Sequence, residues 1–105
     1  MIDIDVAKIY DQMDQALAAR GFVPEDGREH PEAFGSRWRL YRRTPREAVS
    51  LTWDGKEAWF LVTGGVPWRE LALFRVQHDC AYEPATVVST LLGEVAHVPD
   101  YDPAI

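Results

Sequence analysis

At 105 residues the chain is long enough for one hydrophobic core and short for two, so residues 1–105 are read as a single domain. Hydrophobic residues make up 47% and charged residues 27%, a globular balance, and no apolar run reaches the roughly 20 residues of a membrane-spanning helix. A formal net charge of −6 argues against general nucleic-acid affinity, and a single cysteine excludes an internal disulfide. The acidic start, MIDIDVAKIYDQMD, lacks the basic residues and apolar stretch of a secretory signal, so a cytoplasmic location is expected.

Residues 3–20 have the period of an amphipathic helix. Val6, Ile9, Tyr10, Met13, Ala16 and Leu17 share one side. Asp3 or Asp5 suits the N-cap, and Gly21, Phe22 and Pro24 mark the end. Asp11, Gln12, Asp14 and Gln15 are expected in water. Residues 23–36, VPEDGREHPEAFGS, read as a long polar connection.

Residues 37–63 read as three antiparallel strands. Thr44-Pro45-Arg46-Glu47 is expected to form a four-residue loop and Asp54-Gly55 a two-residue type I′ turn. That register places Trp38, Leu40, Val49, Leu51, Trp53, Ala58, Phe60 and Val62 on a core face. It places Arg37, Arg39, Tyr41, Arg43, Ser50, Trp59 and Leu61 on the other. Residues 68–78 are read as a fourth strand beside the third. Pro84–Val98 is read as a closing helix, with Val88, Leu91, Leu92 and Val95 buried and Gly93 allowing close approach to the sheet.

The expected fold is α+β, a two-layer sandwich in the order α-β-β-β-β-α. Its antiparallel sheet has four strands, with both helices on one face. The α-βββ-α portion resembles double-stranded-RNA-binding domains in topology alone. The basic cluster such domains carry at the start of their last helix is replaced here by Glu83-Pro84-Ala85-Thr86.

The open sheet face, with Arg37, Arg39, Tyr41, Arg43, Trp59 and Leu61, is the expected binding surface. Arg, Tyr and Trp are the residues most enriched at interface hot spots. A non-enzymatic protein-interaction module follows, of the adaptor, immunity-inhibitor or chaperone kind, with another protein or a second copy as partner and no cofactor. The solvated reading is that the arginines only keep the face in water, stacked on Trp59 and Tyr41. One alternative is a single-stranded nucleic-acid binder using Arg37–Arg43, since residues 37–46 hold five arginines and no acid. Another is a thiol or metal-dependent enzyme centred on Cys80 with His78 and His97; those spacings fit no defined ligand signature, and such residues are more often ordinary strand-end and helix-end residues. The acidic side of the first helix reads as a solvated face, and Gly64-Gly65 has none of the residues of a phosphate loop.

Overall fold

The computed structural model describes residues 4–64, 69–77 and 80–95. Helix α1 (Val6–Ala18) leads into strands β1 (Val23–His30), β2 (Ser36–Thr44), β3 (Glu47–Asp54), β4 (Trp59–Gly64) and β5 (Arg69–Arg75), and helix α2 (Pro84–Val95) closes the fold. The strands form one antiparallel meander in the order β1-β2-β3-β4-β5. The α+β class, the antiparallel sheet and the two flanking helices are as expected; the sheet has five strands rather than four.

The additional strand, β1, lies in the stretch expected to be a loop. Its sequence, VPEDGREH, is rich in residues that strands avoid. It holds because it is an edge strand whose carboxylates meet the arginines of β2. Glu25 pairs with Arg42 at 2.8 Å and Glu29 with Arg37 at 3.6 Å. A bulge between Pro24 and Asp26 accommodates the proline.

Helix α1 starts where Asp5 accepts the Lys8 amide at 3.0 Å. It ends where Gly21 takes φ +88 and the Phe22 amide closes on the Leu17 carbonyl at 2.9 Å. Ile9, Tyr10, Met13 and Leu17 from α1 join Val87, Val88, Leu91 and Val95 from α2 in one core. Against them stand Tyr41, Val49, Leu51, Trp53, Ala58, Phe60 and Val62 of the sheet. Both helices therefore cover the same face. Gly93 does not approach the sheet: it is exposed, with nothing within 4 Å of where a Cβ would stand.

The β3–β4 turn differs from the expected two-residue bend. It runs through residues 55–58, with the Ala58 amide bonded to the Asp54 carbonyl at 2.8 Å. Asp54 Oδ1 accepts the amides of Lys56 and Glu57 at 3.0 and 2.8 Å. The left-handed residue is Ala58, at φ 57, and not Gly55. Trp53 consequently pairs with Phe60 instead of Lys56. The shift is an even number of residues, so every side chain keeps its expected face.

The β2–β3 turn has the opposite outcome. Thr44 pairs with Glu47, so the connection is only Pro45-Arg46, and Arg43 bulges out of the ladder. Arg42 then faces Ala48, Tyr41 faces Val49 and Arg39 faces Leu51. This is a one-residue slip from the expected register, and it turns all of β2 over. Tyr41 is fully buried under α1, whereas Trp38 and Leu40, expected in the core, lie on the other face and are partly exposed.

Two glycine substitutions with opposite signs check these local arguments. A Cβ on Gly55 would stand 1.9 Å from the Phe34 carbonyl oxygen, so Gly55→Ala should lower stability by about 2 kcal/mol. Gly93→Ala fills open space within a helix and should raise it by about 0.5–1 kcal/mol. Urea unfolding monitored by tryptophan fluorescence reads both.

Candidate interaction surface

The residues expected on the open face divide between two places. Arg37, Arg39 and Tyr41 face the helices. Asp14, expected in water, accepts the Tyr41 hydroxyl and the Arg39 guanidinium at 2.5 Å each. The Tyr10 ring lies between Arg37 and Arg39, whose guanidinium carbons are 5.2 and 5.3 Å from its centroid. Its hydroxyl is shared between the Arg37 and Leu51 carbonyls at 3.1 and 3.0 Å. Arg43 lies over the Phe22 ring at 4.5 Å and donates to Glu47.

Four arginines of the basic strand thus have a carboxylate within ion-pair distance: Arg37 with Glu29, Arg39 with Asp14, Arg42 with Glu25 and Arg43 with Glu47. The strand is not a bare cationic surface. Its positive charge is spent on holding α1, β1 and the β2–β3 turn. Arg37 is the least satisfied of the four; its Nε is buried with no hydrogen-bond partner among the described residues. Beside it a hollow of about 370 Å³ runs along β1, lined by Pro24, Gly27, Glu29, Arg37 and Arg39 among others. The hollow carries acids and bases in mixture and presents no single charge to a ligand.

Burial pushes the Tyr41 phenol far above its ordinary value, and the hydrogen bond and charge of Asp14 push in the same direction. Burial does the same to Tyr10. Burial works to lower the Arg39 pKa, but the hydrogen bond and charge of Asp14 outweigh it and the net shift is upward. The Arg43 hydrogen bond holds Glu47 below its ordinary value.

Trp59 and Leu61 do lie on the face away from the helices. The strand pairings place Arg28, Trp38, Thr52, Leu61 and Leu73 in one row that crosses all five strands. A second row holds Asp26, Leu40, Ser50, Thr63 and Glu70. On the other side of the first, Trp59 stands beside Asp54 and Arg75. No described element covers these rows, and none of their members is buried; Leu73 is 39% exposed. The surface is therefore an apolar stripe of Trp38, Leu40, Trp59, Leu61 and Leu73, with charges on β1 and β5, at Asp54, and at Arg42 of β2, which shares the parity of Trp38 and Leu40 and pairs with Glu25. Trp38 and Leu40 stand here and not in the core because β2 is one residue out of the expected register, and the place of Leu73 follows from its pairing with Leu61.

The other reactive types give less. Cys80 is partly exposed, with Sγ 3.5 Å from the Gln77 side-chain oxygen. His78, Asp79, His97 and Asp100 lie outside the described residues, among which no group of His, Cys, Asp and Glu has metal-binding geometry. No described helix is long and apolar enough to cross a membrane.

The Asp14 network yields two measurable consequences. Asp14→Ala leaves a buried phenol and a half-buried guanidinium without their acceptor, and should cost about 2 kcal/mol in urea unfolding. Tyr41→Phe removes the hydroxyl together with its need for a partner and should cost about 1 kcal/mol. Separately, both phenols titrate higher in the folded chain than at their ordinary 10.0. Above about pH 10 the unfolded chain therefore binds fewer protons than the folded one, and stability falls as pH rises, by about 1.4 kcal/mol per pH unit for each phenol. Stability measured from pH 8 to 11.5 should show this decline, and the Tyr10→Phe/Tyr41→Phe double variant should flatten most of it.

Comparison of the chain with protein-family models, with curated proteins and with solved structures gave no match.

Proposed function

We propose that the protein is a non-enzymatic interaction module that binds another polypeptide through the open face of its sheet. The single observation that carries this reading is the cross-strand row of Trp38, Thr52, Leu61 and Leu73, extended by Leu40 and Trp59, on a face that neither helix covers. A solvated antiparallel sheet face normally alternates to polar residues. Here two tryptophans and three leucines stand there instead, which is the composition of a contact surface.

The revised face supports the partner reading better than the expected one did. Its aromatic and aliphatic members stand on both sides of β3, with Ser50 and Thr52 between them, and four arginines of the basic strand are tied to carboxylates. A module of this kind needs no catalytic constellation, and its specificity resides in the charged rim.

A photo-crosslinking residue placed at Thr52, in the middle of the stripe, tests the reading. Irradiation in a cell extract should give a protein adduct from Thr52→benzoylphenylalanine and none from the same residue at Asp11, on the exposed side of α1. Adding Leu61→Ser should abolish the adduct without altering the circular dichroism spectrum. No adduct from Thr52, or one indifferent to Leu61→Ser, overturns the proposal.

A further inference from the structure

The stripe carries a pattern of charges that selects its occupant. This inference rests on the reading of the open face as a contact surface. Rim charges lie at defined places: Arg75 is beside Trp59 at one end of β5, and Glu70 is beside Thr63 at the other. On the opposite edge, Asp26 is beside Leu40, with Arg28 beside Trp38 and His30 beside Ser36. The acids Asp26 and Glu70 thus lie at one end of the strand direction; Arg75 and His30 lie at the other, together with Asp54 on the central strand, and Arg28 stands in the row between them. Among the described residues, Arg28, Glu70 and Arg75 form no ion pair. All three are exposed.

We infer that the occupant is a second copy of this chain, packed face to face about a twofold axis that runs along the rows, perpendicular to the strands. Such an axis leaves each strand opposite its own copy and exchanges the two ends. Arg75 then meets Glu70 of the second copy, twice by symmetry, and Asp26 meets His30. The central row meets itself, so Trp38, Leu61 and Leu73 close over their own counterparts in a dry seam. The strands of the two sheets run antiparallel and aligned, which is the ordinary geometry of packed sheets about 10 Å apart. The other twofold, along the strands, lays β1 over β5. It opposes Asp26 to Glu70 and His30 to Arg75, so charge discriminates between the two. The chosen axis also opposes Arg28 to itself, but at the rim, where water and the adjacent Asp26 moderate the repulsion.

Area sets the strength. Five strands at about 4.8 Å spacing and about six residues of length make a face of roughly 24 by 20 Å. Two such faces bury on the order of 1,000 Å², below the roughly 1,200 Å² at which stable specific complexes begin and in the range of weak, transient ones. A face of this size suits a weak, reversible association, and its rim charges make it dependent on salt.

Sedimentation equilibrium on the full chain, at 1 to 500 µM and low salt, tests this. The wild type should run as a concentration-dependent dimer. Glu70→Arg and Arg75→Glu each replace two attractions by two repulsions and should weaken the dimer about tenfold. Glu70→Arg/Arg75→Glu together restore complementarity and should return the dissociation constant to within threefold of wild type. Dichroism verifies that each variant is folded. A wild type that stays monomeric to 500 µM overturns the inference, as does a dimer indifferent to the single swaps or a folded double swap that remains weak. The two readings fail separately. A monomer whose Thr52 still cross-links to a different protein removes the second copy and keeps the contact face. A dimer whose Thr52 cross-links to nothing removes the face itself.

Discussion

The structure depends on what Asp14 holds. One carboxylate on α1 takes the phenol of Tyr41 and the guanidinium of Arg39, and these two residues alternate on the same side of β2. That engagement fixes which side of β2 faces the helices. Once it is fixed, the bulge at Arg43 is required to bring Tyr41 opposite Val49. The parity of β2 then determines the exposed surface: Trp38 and Leu40 must stand on the far face because Arg39 and Tyr41 occupy the near one.

The core tolerates this arrangement because its charged contacts sit at its margin. Arg39 and Asp14 keep about a quarter to a third of their side-chain surface in solvent, at 26% and 30%. The desolvation penalty that makes deeply buried ion pairs unfavourable is therefore partial. Tyr41 itself is completely buried, and its ring provides the apolar area while its hydroxyl reaches the margin. The same economy appears at Tyr10, which packs against Phe60 at 6.3 Å and shares its proton between two sheet carbonyls. Two tyrosines thus bind helix to sheet, Tyr10 through the Arg37 and Leu51 carbonyls and Tyr41 through Asp14, hydrogen bonds that two leucines could not make.

The sheet has unlike edges. β1 is polar, bulged and carries a proline, the usual defences of an exposed edge strand. β5 is largely apolar, and a bulge between the Val62 and Thr63 pairings interrupts it. Growth of the sheet by strand addition is discouraged at both ends, which leaves the broad face as the surface with apolar area to give.

Periodicity and punctuation determined the two helices, the Gly21 stop, the antiparallel class and the inward face of β3 and β4. Each of these follows from local pattern, and a turn misjudged by an even number of residues cannot disturb a face. β1 was not legible from propensity, since what orders it is charge on a neighbouring strand; the acidic run beside the basic one was the available signal. The orientation of β2 was decided by tertiary structure alone. In RWRLYRR both parities carry an aromatic ring and an arginine, so alternation is ambiguous, and the choice falls to a partner on a distant helix. Asp14 supplies that partner, and because a strand has period two, its grip on Tyr41 and Arg39 sends Trp38 and Leu40 to the opposite surface.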